Sequence, residues 1–279
     1  MHVEPQPDPA TFLERSASVR AREPVLTNVI GTVARMAADG RTFEQAWWWL
    51  VLDDSGEPVA CAMRTAPWNI VLSPMSPDAA AALAAAVAVV DPELPGVTGP
   101  ASVATAFAAA LPGSRQLEVT MRDVVHVLDE LVEPVGVRGA MAVAQPDDLA
   151  TLVAWHEQFA LDADVPMHDV ETSVRTRLAT GSLLWWTHDG QPVSMAGHTQ
   201  PVEVPGGAVG RIGPVYTPRE HRGHGYASAL TAAVVRLLQP RCSVVMLFAD
   251  ATNPTSNGVY ERIGFRPVDE VVEARLAPA

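Results

Sequence analysis

The sequence predicts an α/β (α+β) chain of two similar lobes, each a mixed, mostly antiparallel sheet flanked by helices. Three observations carry this reading. Two aromatic-rich runs, 47–52 and 182–187, each lead through a glycine turn into a second apolar run, at 58–63 and 192–197, the pattern of a β-hairpin. Each hairpin follows a helix-like stretch that ends at glycine, 28–40 and 169–181, and precedes a short strand and an alanine-rich helix. The order helix, strand, strand, strand, helix thus occurs twice in 279 residues, a length that holds two ordinary domains.

Along the chain, Gly56 and Gly190 are the matching points of the two hairpins, and Val71-Leu72-Ser73-Pro74 matches Val215-Tyr216-Thr217-Pro218. Helices are expected over 78–90 and 226–238. Pro92, Pro95, Gly96, Gly99 and Pro100 read as a loop before a helix over 101–111. Alternation over 116–125 predicts a strand, and Pro134-Val135-Gly136-Val137 reads as the crossing point. A boundary near residue 135 divides the chain into lobes 1–135 and 136–279. In the second lobe a strand is expected over 140–144. An amphipathic helix over 147–161 follows, with Leu149, Leu152, Trp155 and Phe159 on one face. The buried strand Val244–Asp250 and a helix from Asn253 complete the lobe.

Composition removes several function classes. All 19 basic residues are arginine. A chain without lysine cannot build a P-loop, a protein-kinase site or a pyridoxal Schiff base. A net charge of −13 argues against nucleic acid as a partner and favours a cationic substrate. Cys61 and Cys242 lie in apolar runs and read as buried reduced thiols, so no disulfide framework is expected. The N-terminus lacks a signal pattern, and the longest apolar run, 79–90, is short for a membrane span. A cytoplasmic protein with no membrane partner is expected, and a homodimer is left open. His221 and His224 sit three apart without a completing cysteine or carboxylate cluster, so no metal site is expected.

The most specific signal is the strand, Gly-rich turn and helix start from Val215 to Leu230. Its pattern is Arg-x-x-Gly-x-Ala, from Arg222 through Gly225 to Ala227. A glycine turn aims several backbone N–H groups at one spot, the helix N-terminus adds its own, and Arg222 adds a charged fork. Such a place suits a pyrophosphate. Further on, a strand ends before Asn253, a helix follows, and it closes with Tyr260-Glu261-Arg262-Ile263-Gly264-Phe265. The two segments together resemble the GNAT (N-acetyltransferase) superfamily over roughly 139–276, and more loosely the first half. The chain resembles the tandem type with a degenerate first lobe, because Met75-Ser76-Pro77-Asp78 stands where the second lobe has its glycine loop.

The resemblance implies two GNAT-like lobes and acetyl-CoA as co-substrate, without a metal. It implies that Val215, Tyr216 and Thr217 pair with the pantetheine arm and that backbone N–H groups of Gly223, His224, Gly225, Tyr226, Ala227 and Ser228 hold the pyrophosphate beside Arg222. Asn253 would bond to the arm, and Tyr260 would act as general acid toward the departing thiolate. The acceptor would be a primary amine of a small molecule or peptide. Some members carry a glutamate base on the strand before the loop, and Arg211 stands at about that place. Arginine stays protonated, so His198 or a water relay would replace the base. Arg211 itself either binds a substrate carboxylate or serves as an ion-pair partner. A non-catalytic acyl-CoA-binding or regulatory module is the alternative to an enzyme.

Overall fold

The computed structural model describes residues 1–113, 115–165 and 169–278. Its elements, in chain order, are β1 (His2–Pro5), α1 (Pro9–Arg15), α2 (Ala17–Arg22), α3 (Asn28–Ala38), β2 (Ala46–Leu52), β3 (Pro58–Thr65), β4 (Ile70–Leu72), α4 (Pro77–Val90), β5 (Gly96–Pro100), α5 (Ala101–Ala110) and β6 (Arg115–Leu128). There follow β7 (Ala140–Val143), α6 (Leu149–Ala163), α7 (Val170–Ala179), β8 (Leu183–His188), β9 (Gln191–His198), β10 (Val202–Val204), β11 (Gly207–Tyr216), α8 (Tyr226–Leu238), β12 (Val244–Asp250), α9 (Pro254–Arg262) and β13 (Phe265–Pro278).

The chain divides into two compact units. One takes residues 1–124, 202–209 and those from 269 on; the other takes 125–201 and 210–268. The sequence expectation was a single boundary near residue 135. Strand β6 therefore starts in the first unit and ends in the second, while β13 does the reverse.

In the first unit β1, β2, β3 and β4 pair antiparallel in succession, β4 pairs parallel with β5, and β5 pairs antiparallel with residues 271–275 of β13. The sheet is thus mixed and mostly antiparallel. Strand alternation explains the tryptophan run. Trp49 and Val51 face α4 and α5, packing with Leu83, Val87 and Phe107. Trp48, Leu50 and Leu52 face the opposite side, with Phe12, Ile30 and Ala34 of α1 and α3. Both faces are covered, so the strands read as near-continuous apolar runs.

The second unit repeats the scheme. Its sheet runs β12, β11, β9, β8, β7, with antiparallel pairing from β11 to β9, β9 to β8 and β8 to β7. Leu184 and Trp186 face α8 and α9, with Leu230, Val234 and Tyr260. Leu183 and Trp185 face α6 and α7, with Leu152 and Val174.

One local expectation fails. The stretch 96–100 read as a loop is the strand β5. Its glycines are there because the backbone packs closely. A Cβ on Gly96 would lie 2.3 Å from the Ala274 carbonyl oxygen, and one on Gly99 would lie 3.0 Å from that of Leu72. The short β1, α1, α2 and β10, and the long closing strand β13, are further elements for which the sequence offered no repeat to compare.

Candidate active site

The end of β11, the turn after it and the start of α8 form one wall of a groove in the second unit. The groove holds about 760 Å³ and is lined by Val215, Tyr216, Thr217, Arg222, Gly223, Gly225, Tyr226, Ala227 and Ser228. Gly223 (φ 82°) and Gly225 (φ 78°) both take the left-handed conformation, which only glycine adopts without strain. Gly225 caps α8 without any side-chain bond, and the first turn carries no acid. The first intrahelical bond there is Ala229 N–H to Gly225 O, at 3.0 Å. The N–H groups of Tyr226, Ala227 and Ser228 precede it, as the unpaired donors of a helix start. They face the groove with the positive end of the helix dipole, an arrangement that fits a pyrophosphate.

The corresponding helix of the first unit starts differently. Ser76 caps α4 by accepting from Ala79 N–H, Pro77 has no N–H, and Asp78 puts a negative charge in the first turn. Donors that are open on α8 are taken or missing on α4.

Arg222 is engaged. Its Nε donates to Thr217 O at 2.9 Å, its Nη2 to Asp162 Oδ2 at 2.6 Å, and its guanidinium lies 5.8 Å from the Tyr216 ring centre. Arg219 donates to the other oxygen of Asp162 at 2.8 Å. The hydrogen bonds from Arg219 and then Arg222 hold the Asp162 carboxyl down at about 2. The clamp is therefore present at neutral pH and is lost only as pH falls through that value. Asp162, near the end of α6, also lines the groove. Sequence reasoning missed it because nothing in a helix end marks which distant arginine it will meet.

Tyr260 on α9 lines the opposite wall with Asn253, Val259 and Arg262. It is 9% exposed, and burial pushes its hydroxyl up to about 12. Its ring lies 6.2 Å from Phe265 and 6.0 Å from His126, a residue of β6 that the motif reading did not single out. Asn253 Oδ1 accepts from Ser256 N–H at 3.0 Å and so caps α9 while lining the groove.

His224 is expected to contribute only its backbone N–H, and it sits between Gly223 and Gly225, which both line the groove; its ring stacks on Tyr226 at 5.3 Å and is not part of the lining. His198 ends β9, paired with Ile212 of β11, and is 6% exposed. Its Nδ1 bonds to Thr199 O at 2.9 Å, so the proton sits there and Nε2 keeps the lone pair. Burial lowers its pKa, with the charges of Arg177 and Arg241 adding to the effect. It is not part of the groove lining either. Among the described residues no helix is long and apolar enough to cross a membrane.

Residues 150–265 match the family model described as acetyltransferase (GNAT) family. An acetyltransferase of the GNAT family from Colwellia psychrerythraea is 11% identical; the match covers 99% of this chain and 100% of that one, at a TM-score of 0.64. A tandem GNAT protein from the clavulanic acid biosynthesis pathway is 14% identical over 98% of each chain, at a TM-score of 0.61. A GCN5-related N-acetyltransferase from Sphaerobacter thermophilus is 19% identical over 98% of this chain and 95% of that one, at 0.61. At these identities the likeness is one of fold. No curated protein matches the sequence.

Proposed function

We propose, from the premise that residues 150–265 form a GNAT acetyltransferase domain, that the protein transfers the acetyl group of acetyl-CoA to a primary amine by direct attack. The carrying observation is one groove that joins an uncapped, acid-free helix start to a buried tyrosine hydroxyl. The N–H groups of α8 and Arg222 would hold the pyrophosphate, and Val215 to Thr217 would flank the pantetheine arm. An unprotonated amine attacks the thioester carbonyl, the C–N bond forms and the C–S bond breaks. The Tyr260 hydroxyl gives its proton to the departing thiolate. The amine's surplus proton leaves to water. Holding both reactants in one groove supplies much of the acceleration. The two free cysteines fit the reducing interior of a cytoplasm.

The second reading is a non-catalytic acyl-CoA-binding module, favoured by one observation: Arg211 stands where a carboxylate base is expected. Screening amines for thiol release separates the two. Acetyl-CoA binding with release on some amine supports the enzyme. Binding without release on any of a broad amine panel supports the module, and no binding at millimolar acetyl-CoA overturns both.

Two outcomes follow for the loops. Arg222→Ala is expected to weaken acetyl-CoA binding by about 1–3 kcal/mol, one charge-assisted contact among several backbone donors. Calorimetric titration reads this directly. We assign no cofactor site to the first unit, because α4 begins with a capped, proline-blocked and negatively charged turn. Asp78→Ala is therefore expected to leave acetyl-CoA affinity unchanged, and a changed dissociation constant in that variant would contradict the assignment.

A further inference from the structure

Asp162 stands in the last turn of α6, where a carboxylate is unfavourable. The helix dipole presents its negative end there, and that turn of α6 carries no basic residue. The partners that hold the acid come from another element. Arg219 and Arg222, in the turn between β11 and α8, each donate to one of its oxygens, at 2.8 and 2.6 Å. Gln158, one helical turn back, adds a bond to Oδ1 at 3.3 Å. The Asp162 side chain is 14% exposed, against 76% for Arg219 and 47% for Arg222. The two arginines thus cover the acid while staying open to a ligand from solvent.

Asp162 lines the same groove as Tyr226, Ala227 and Ser228 at the start of α8. A pyrophosphate held by the N–H groups of that helix start therefore meets a carboxylate already paired with the guanidiniums of the turn. Two guanidiniums balance a doubly charged pyrophosphate diester. With Asp162 retained among them the site is left negative, even with the helix dipole counted, and like charges at short range repel. Arg222 is aimed without help from the acid. Its bond to Thr217 O and its place over the Tyr216 ring keep the guanidinium where it is when Asp162 lets go. The body of α6 is anchored apart from the ion pair as well: Trp155 and Phe159 lie edge-on to Tyr216, at 6.2 and 6.4 Å. Release of Asp162 thus needs only a side-chain rotation, and Gln158 remains as its partner on the same helix.

We propose that Asp162 is a built-in competitor for the pyrophosphate site: its carboxylate and the pyrophosphate exchange places on Arg219 and Arg222, and this exchange sets the selectivity of the groove. The proposal rests on the acetyltransferase reading and adds how the site rejects other anions. Inorganic phosphate or pyrophosphate brings contacts with the arginines and the helix N–H groups alone, and Asp162 opposes them. Acetyl-CoA also brings a pantetheine arm along Val215 to Thr217, and that further binding drives the exchange.

Calorimetry tests this by comparing the wild type with Asp162→Asn, which keeps the shape and removes the charge. The probes are acetyl-CoA, inorganic pyrophosphate and S-acetylpantetheine, which has no phosphate. The variant is expected to bind acetyl-CoA about 3- to 30-fold more tightly, the combined strength of two partly exposed ion pairs. Inorganic pyrophosphate is expected to gain by a similar factor, and S-acetylpantetheine is expected not to gain. An acetyl-CoA or pyrophosphate affinity that is unchanged or lower overturns the proposal, a lower one marking Asp162 as an orienting partner of Arg222. A gain shared by S-acetylpantetheine counts against it equally, because anion exchange does not act on a ligand without phosphate.

Thermal melting separates exchange from plain repulsion. Exchange removes the Asp162 contacts on binding, so the variant is expected to melt below the wild type without acetyl-CoA and level with it at the same saturating concentration. A variant that melts above the wild type when saturated shows repulsion without exchange. One that melts lower by the same amount in both states assigns Asp162 to folding alone. Either result sinks the proposal and leaves the transferase reading intact. If neither protein binds acetyl-CoA, the transferase reading fails, and inorganic pyrophosphate then decides the site. Tighter binding by Asp162→Asn than by the wild type supports the competitor, and equal or absent binding overturns it. Should Asp162→Asn not fold, Asp162→Ser takes its place with the same outcomes.

Discussion

Gly225→Glu is expected to abolish acetyl-CoA binding, with a dissociation constant raised at least about 100-fold. Three effects add. A side chain at φ 78° is strained by about 1–2 kcal/mol. Its Cβ would lie 3.0 Å from Val137 Cγ2, tight enough to press on the strand entry beneath α8. The carboxylate is the largest effect. It can reach back to the open N–H groups of α8, taking the donors that the pyrophosphate needs, and it repels the phosphates. Like charges about 4 Å apart at an effective dielectric constant near 20 repel by about 4 kcal/mol. Gly225→Ala keeps the strain and the Val137 contact but not the charge, so its loss should be much smaller. Calorimetry of acetyl-CoA binding, with thermal melting to confirm the fold, reads both variants. An unchanged affinity in Gly225→Glu would remove α8 from the site.

Tyr260→Phe is expected to lower kcat by roughly 10²- to 10⁴-fold, the usual worth of a positioned general acid. Acetyl-CoA affinity should stay within a few-fold, because the ring still packs against Phe265 and the apolar cluster beneath α8. Burial holds the hydroxyl up at about 12. The proton is therefore in place at neutral pH, and this group gives no alkaline fall in rate until pH approaches that value. A near-normal kcat in the variant would assign the thiolate proton to another donor and leave Tyr260 a packing residue.

Much of this groove was legible in the sequence because backbone conformation shows itself in glycine. Gly223 and Gly225 mark left-handed residues, and Tyr260 follows Asn253 by two turns of one helix, so local spacing sufficed. Paired partners far apart in sequence were not legible. Asp162 takes up Arg222 and Arg219, and no local pattern announces it. Arg211 and His198 drew notice by their places on strands, but Arg177 of α7, whose charge acts on both, did not. The misread strand β5 shows the converse. Its Gly96 and Gly99 are required by close packing, and the same residues in isolation have the composition of a turn.

The interleaving of the two units bears on how the chain is made. Residues 96–100 find their antiparallel partner only in 271–275, and Val272 and Leu276 are part of the first unit's apolar core. On the ribosome, the N-terminal unit therefore waits with an unpaired strand edge and an unfilled core while the C-terminal unit is translated. Ordinary domain-by-domain acquisition of structure during synthesis is closed to it. The long-range pairing makes for slow, late consolidation, so nascent chains need shielding until β13 emerges. The order of maturation is thus inverted: the unit translated first is the one completed last.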